Sequence, residues 1–251
     1  MLDWGHITYA KARNASAPQR QGFDVLSALP LNIYNQLTFS MARVLGDPQQ
    51  YTMRTGRRVL VGWVGNQTFA AQSLARDLSL SPAGELLQRF VPELRMLRLA
   101  PANTPFVGLQ AEVVARLTRT SGGDNAQALT AGVSVLGSLN NPGERTRIGV
   151  DWGTKTVFVD GTQQGNPFVR AGPLLGSSSN VSLHVYVDHA YVTAIFNEQV
   201  AFTVLVTPTS AAQGVVESFS TCFGTSPCNK SRVEMTAWPL QSANNIDVRP
   251  I

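Results

Sequence analysis

The sequence predicts an all-β protein with a β-sandwich as its C-terminal domain, and three observations lead there. Between Leu183 and Pro208, apolar residues recur at every second position in three successive runs: Leu183/Val185/Val187, Val192/Ala194/Phe196 and Val200/Phe202/Val204/Val206. That period places alternate side chains on one face of a strand. Beyond Pro105, short strand-like runs alternate with turn residues at the rhythm of a sandwich. Only 14 % of the 251 residues are charged and 43 % are apolar, a balance suited to strands with polar outer faces.

Taken in order, the chain opens with Leu2 to Ala10, strand-like after Gly5. From Asn14 to about Gln50 the pattern is broken by Pro18, Pro30 and Gly46-Asp47-Pro48, so residues 11–50 read as a surface insertion. A buried-strand run follows at Gly56-Arg57-Arg58-Val59-Leu60-Val61-Gly62-Trp63, and a further strand at Leu74 to Leu80. Pro92 at a first helical position, Glu93 in the first turn and Arg98 in the last describe a short helix over 92–98. The uncharged, Pro-punctuated Ala100-Pro101-Ala102-Asn103-Thr104-Pro105 marks a domain boundary. This divides the chain into residues 1–98, a sandwich at 105–243 and a tail at 244–251.

Within the sandwich, strands are expected at Leu109–Arg119, Gly132–Leu136, Thr146–Trp152, Thr156–Val159, the three runs of 183–206, Gly214–Phe219 and Val233–Pro239. The polar Asn197-Glu198-Gln199 makes the second and third runs an antiparallel hairpin with one face on a core. Pro208 ends it by removing a ladder donor.

Composition also narrows function. The formal charge is +4, but Arg and Lys are scattered in twos and threes with no aromatic-interleaved basic stripe, which gives no basis for nucleic-acid binding. No run approaches the roughly 20 apolar residues of a membrane helix. Met1 is followed by Leu2-Asp3-Trp4-Gly5 without the regions of a signal peptide, so either the protein stays inside the cell or its true beginning lies upstream. Sequons at Asn14, Asn66, Asn180 and Asn229 point to secretion, although roughly two would arise by chance. Cys222 and Cys228 flank a turn-rich loop and either close a small disulfide ring or remain thiols. With two cysteines and scattered His6, His184 and His189, no metal-ligand spacing exists, and no cofactor motif is found.

Several of these stretches resemble glycoside hydrolase family 32, the invertases and fructanases. Val187-Asp188-His189, Thr193 and Phe196-Asn197 follow the wording of that family's sandwich hairpin, with Ala190 for its Ser and Thr193 for its Glu. Gly56 to Trp63 resembles the family's Gly-Arg-Arg strand, and Leu74-Ala75-Arg76-Asp77-Leu78 its Leu-Pro-Arg-Glu-Leu strand. Asp160-Gly161-Thr162 has Gly where relatives commonly carry Arg, and Val233 to Leu240 is similar to the closing strand. The resemblance covers most of the chain outside residues 11–50. It implies the last blade of a five-bladed β-propeller, a linker helix and a lectin-like β-sandwich.

Family-32 enzymes are retaining glycosidases, which need two carboxyl groups about 5–5.5 Å apart. One attacks the anomeric carbon and the other protonates the leaving oxygen. The family's Asp-Pro-Asn-Gly, Arg-Asp-Pro and Glu-Cys motifs are absent here, so no catalytic residue is assigned and the chain is expected to be inactive alone. Asp3, Asp77, Glu93, Asp151, Asp160 and Asp188 fall on separate strands and turns. No Gly-x-Ser-x-Gly nucleophile motif is present either.

By the same resemblance, Tyr9, Trp63 and Asp3 are substrate-binding candidates for sucrose or fructan. The alternative is that Tyr9 and Trp63 only fill the contact between blade and sandwich. Two functions therefore stand: the C-terminal part of a β-fructofuranosidase-like hydrolase, or a non-catalytic carbohydrate-binding or structural module. A homodimer through the sandwich, and secretion or a vacuolar site if a signal precedes Met1, are compatible with either. The first 95 residues are expected to pack poorly by themselves, and residues 105–243 to fold alone.

Overall fold

The structure is a computed structural model, and it describes residues 36–40, 58–65, 70–120, 129–141, 143–208, 214–222 and 230–242. Strands β1 (Gln36–Ser40), β2 (Arg58–Gly65), β3 (Ala70–Gln72), β4 (Arg76–Leu80) and β5 (Leu86–Phe90) form an antiparallel sheet ordered β1-β2-β4-β5, with β3 on β2. β1 lies inside the stretch expected to be a patternless insertion, in register with β2 from Gln36 opposite Gly62 to Ser40 opposite Arg58. Here strand pairing supplies an order that the Pro and Gly signals hid.

A short 3₁₀ helix, Pro92–Leu97, follows, with Pro at its start and Glu93 in its first turn. Arg98, expected in the last helical turn, instead stands just past it in extended conformation. The Thr104–Pro105 peptide bond is cis.

The sandwich is built from β6 (Phe106–Val107), β7 (Gln110–Arg119), β8 (Thr130–Gly137), β9 (Thr146–Asp151), β10 (Thr156–Asp160), β11 (Val169–Pro173), β12 (Asn180–Asp188), β13 (Tyr191–Phe196), β14 (Val200–Leu205), β15 (Val215–Thr221) and β16 (Ser231–Pro239). One sheet runs β11-β10-β9-β8-β15-β6 and the other β14-β13-β12-β7-β16. Their facing surfaces form a single core whose members recur at every second residue: Ala111, Val113, Ala115 and Leu117 of β7, Val181 to Val187 of β12, and Ala131, Val133 and Val135 of β8. An all-β sandwich domain is thus present as expected.

The hairpin expected at 191–206 exists, with Phe196 opposite Val200 and Asn197 to Gln199 as its turn. It is not half-buried, however. Val192, Ala194 and Phe196 face the main core, while Ile195 and Ala201 are buried on the opposite side against Phe90 of β5, with Leu74, Leu94 and Leu240 around them. Polar Thr193 and Thr203 on that covered side hydrogen-bond each other at 3.3 Å.

On the outer face of the first sheet, Gly149 lies between Gly132 and Phe158 in register, and Gly132 is followed by Phe219. The two rings lean together over this glycine floor, with centroids 6.5 Å apart. Any Cβ at Gly132 or Gly149 would run into the neighbouring strand's backbone. At the end of β10, a side chain on Gly161 would meet the ring of Phe168, which accounts for glycine at that turn.

Candidate functional site

Of the substrate-contact candidates, Asp3 and Tyr9 lie outside the described residues. Trp63 lies in β2, in register with Gln72 of β3. Asn14, Asn66, Asn229 and Cys228 also lie outside them. Cys222 is disulfide-bonded and packs against the main core. Asn180 is the first residue of β12 and is exposed.

The structure brings together a different set of residues on the outer face of the β14-β13-β12-β7-β16 sheet. Tyr186 of β12 is in register with Glu112 of β7, which is in register with Trp238 of β16. His184 lies one same-face step along β12. Glu112 is wholly buried, with a relative exposure of 0 %. A carboxylate in that position needs charge and hydrogen bonds to replace its lost water.

Arg98 supplies both, donating from Nε to Oε2 at 2.6 Å and from Nη2 to Oε1 at 2.5 Å, the bidentate fork that guanidinium geometry favours. His184 Nε2 lies 2.7 Å from Oε1, and Tyr186 also hydrogen-bonds the carboxylate. Burial alone would push the Glu112 pKa up. The bonds from Arg98, His184 and Tyr186 outweigh it and hold the group at about 2, below the usual 4.5. Burial, and then the bond to this carboxylate, push the Tyr186 hydroxyl up. The Arg98 guanidinium lies 3.9 Å over the Trp238 ring, a cation–π contact. Phe90 of β5 meets both His184 and Tyr186 edge-on, at 4.7 and 4.6 Å.

This cluster is a joint. Its acid comes from the sandwich, its main cation from the segment after the 3₁₀ helix, and its cover from β5. Further bonds support it, from the Gln88 backbone N–H to the Glu198 carbonyl at 2.6 Å and from Gln199 Nε2 to Glu85 Oε2 at 2.8 Å. Sequence reasoning missed it, because Glu112 shares the outward face of β7 with Gln110, Arg116 and Thr118; the one signal was His184 and Tyr186 at same-face spacing on β12.

Beyond the joint, the same outer face opens into a groove of about 720 Å³, bordered by Val114, Arg116, Asn180, Ser182, Glu234 and Thr236. Among the described residues, no aromatic ring lines it.

Several other acids are engaged structurally. Asp151 accepts from the Gly153 and Thr154 backbone N–H groups, and Asp160 from that of Thr162. Asp188 accepts from Gln110 and contacts His189. Glu198, Glu217 and Glu234 pair with Arg89, Arg145 and Arg232. Among the described residues no group of three or more His, Cys, Asp or Glu could hold a metal ion, and no helix is long and apolar enough to cross a membrane.

Comparison with known proteins places this architecture. The family model for the C-terminal domain of glycosyl hydrolases family 32 matches residues 71–238, more than half of the chain and all of the joint. The chain belongs to glycosyl hydrolase family 32. Among solved structures, this family-32 chain is similar to an exo-inulinase from Aspergillus awamori, at 18 % identity and TM-score 0.58, covering 74 % of this chain and 41 % of that one. It is similar to a sucrose-6-phosphate hydrolase from Lactobacillus gasseri at 15 % identity and TM-score 0.60, covering 84 % and 42 %. A fructan 1-exohydrolase IIa from Cichorium intybus gives 17 % identity and TM-score 0.60, covering 84 % and 48 %. At these identities the likeness establishes the fold. The family-32 chain spans less than half the length of each of these three. Among curated proteins, no sequence matches it.

Proposed function

We propose that this chain is the non-catalytic C-terminal part of a retaining hydrolase of β-fructosides such as sucrose. In this reading the nucleophile and the general acid are supplied by protein outside these residues, and the joint at Glu112 fixes the sandwich to the sheet that precedes it. The observation that carries the reading is the family-32 match running unbroken across β4, β5, the 3₁₀ helix and the sandwich. Supporting it, Asp151, Asp160, Asp188, Glu198, Glu217, Glu234 and Glu112 serve turns, ion pairs and the joint, whereas retention requires two facing acids about 5–5.5 Å apart.

Incubation of the purified chain with sucrose and inulin tests the non-catalytic half: no fructose is expected, and its release would overturn the proposal. A chimaera tests the other half, with residues 71–242 replacing the matching C-terminal part of a family-32 exo-inulinase. A soluble, fructose-releasing chimaera is expected, and an insoluble or inactive one would count against the assignment. The alternative, a free-standing carbohydrate-binding module, predicts heat on calorimetric titration with sucrose or a fructan. The lack of an aromatic ring in the groove, where a sugar's C–H face would stack, leads us to expect none.

A further inference from the structure

We propose that Asn180 is an N-glycosylation site and that its glycan lies along the groove on the outer face of the sandwich. Asn180-Val181-Ser182 is an acceptor sequence, and both Asn180 and Ser182 are exposed at the groove's border. The Asn180 side chain bonds to its chain neighbour and to β7. Its Oδ1 accepts from Thr118 Oγ1 at 3.1 Å, and its Nδ2 donates to Ser179 Oγ at 3.4 Å. An amide nitrogen has two N–H bonds, so replacing one with a sugar leaves one donor on Nδ2 and leaves the oxygen for Thr118. The bond from Thr118 that ties β12 to β7 here is thus kept on modification.

The step itself is a transfer from a lipid-diphosphate-linked oligosaccharide. Nδ2 attacks the anomeric carbon, the C–N bond forms, the C–O bond to the diphosphate breaks, and the amide proton passes to the transferase's base while the lipid diphosphate departs. Cys222 is disulfide-bonded, the chemistry of the oxidising compartments in which such transfer occurs.

The groove then supplies the lodging. Its roughly 720 Å³ falls within the ~300–1,000 Å³ range of small-molecule sites. Across it from Asn180 stand Arg116, with up to five N–H donors, and the acceptors Glu234 and Thr236. Val114, an apolar side chain 38 % exposed on this face, offers a surface for sugar C–H groups. The occupant is tethered at the rim, so it needs little intrinsic affinity to stay.

The test uses the full chain fused to a secretion signal in a eukaryotic host. Enzymatic removal of N-glycans in ¹⁸O-water marks each former glycan site as labelled Asp, and the mark is expected at 180. Loss of that mark in Asn180→Gln and in Ser182→Ala, with retention in Ser182→Thr, is the expected pattern. An unmarked Asn180 in the secreted chain overturns the site. Lodging in the groove is read by phenylglyoxal modification of Arg116. Slower reaction in the glycosylated chain than in Asn180→Gln, which carries neither the glycan nor a new charge, supports it, and equal rates overturn it.

Discussion

Glu112 is where burial and charge meet most sharply in this molecule, and its behaviour with pH is fixed by its partners. Its folded pKa is lowered to about 2 from the usual 4.5, so the ionised group stabilises the fold above pH ~4.5, and that contribution fades as pH falls toward 2. The difference amounts to about 3 kcal/mol. Denaturant unfolding measured from pH 6 to 2 is expected to show this acid-side loss, and Glu112→Gln is expected to flatten that part of it. At neutral pH the variant should lose roughly 3–5 kcal/mol, because the bidentate partner of Arg98 is gone. An unchanged acid limb in the variant would show that Glu112 does not govern it. Sequence could not announce this residue. In Gln110-Ala111-Glu112-Val113 it occupies the outward position of an alternating strand, where a charge ordinarily meets water, and only the fold brings Phe90 and Arg98 over it.

At the scale of elements, the β13–β14 hairpin was legible because period-2 alternation and a polar turn are local signals. The turn's energetics are less local. Asn197 and Glu198 both take positive φ, 48° and 59°, a region that costs non-glycine residues free energy. Asn197 offsets this with its side chain, accepting from the Ser182 backbone N–H at 2.9 Å and donating to the Leu175 carbonyl at 2.7 Å. Asn197→Ala is therefore expected to cost ~1–3 kcal/mol through the unpaired groups it leaves. Glu198→Gly should stay within about 1 kcal/mol of the parent, since relief of the backbone offsets loss of an exposed ion pair with Arg89. Thermal melting of both variants decides it, and equal losses would remove the distinction. Other elements escaped the sequence for physical reasons. β11 reads Val169-Arg170-Ala171-Gly172-Pro173, a sheet-edge strand without alternation, and β1 pairs with β2 across a long Pro-interrupted stretch. The short helix shows in the sequence through Pro92 and Glu93, but it ends at Leu97, and Arg98 goes to Glu112 rather than to the helix dipole. A buried carboxylate competes better for a guanidinium than the end of a six-residue 3₁₀ helix does.

For the whole molecule, the question is whether the sandwich stands alone. Composition and boundary signals suggest that residues 105–243 fold independently, and the main core, drawn from both of the sandwich's sheets, supports that. The joint adds a qualification. Cutting before residue 105 removes Arg98 from Glu112 and uncovers Tyr186, Ile195 and Ala201, which Phe90, Leu74 and Leu94 otherwise cover. It also strips β16 of the bridges from Arg98 to Leu240 and from Ala102 to Ala237, leaving an open edge. The truncated sandwich is expected to fold with strand-type circular dichroism but to melt lower than the full chain. A second truncation that keeps residues 70–104 should recover most of the difference. If the shorter fragment melts with the full chain, the joint contributes nothing to stability. If restoring 70–104 does not help, the contribution comes from residues 1–69 rather than from the joint. Glu112→Leu separates the two costs: in the full chain it should lower the melting temperature, because Arg98 loses its partner, whereas in the shorter fragment, where the cut returns Glu112 to water, it should change the melting temperature far less.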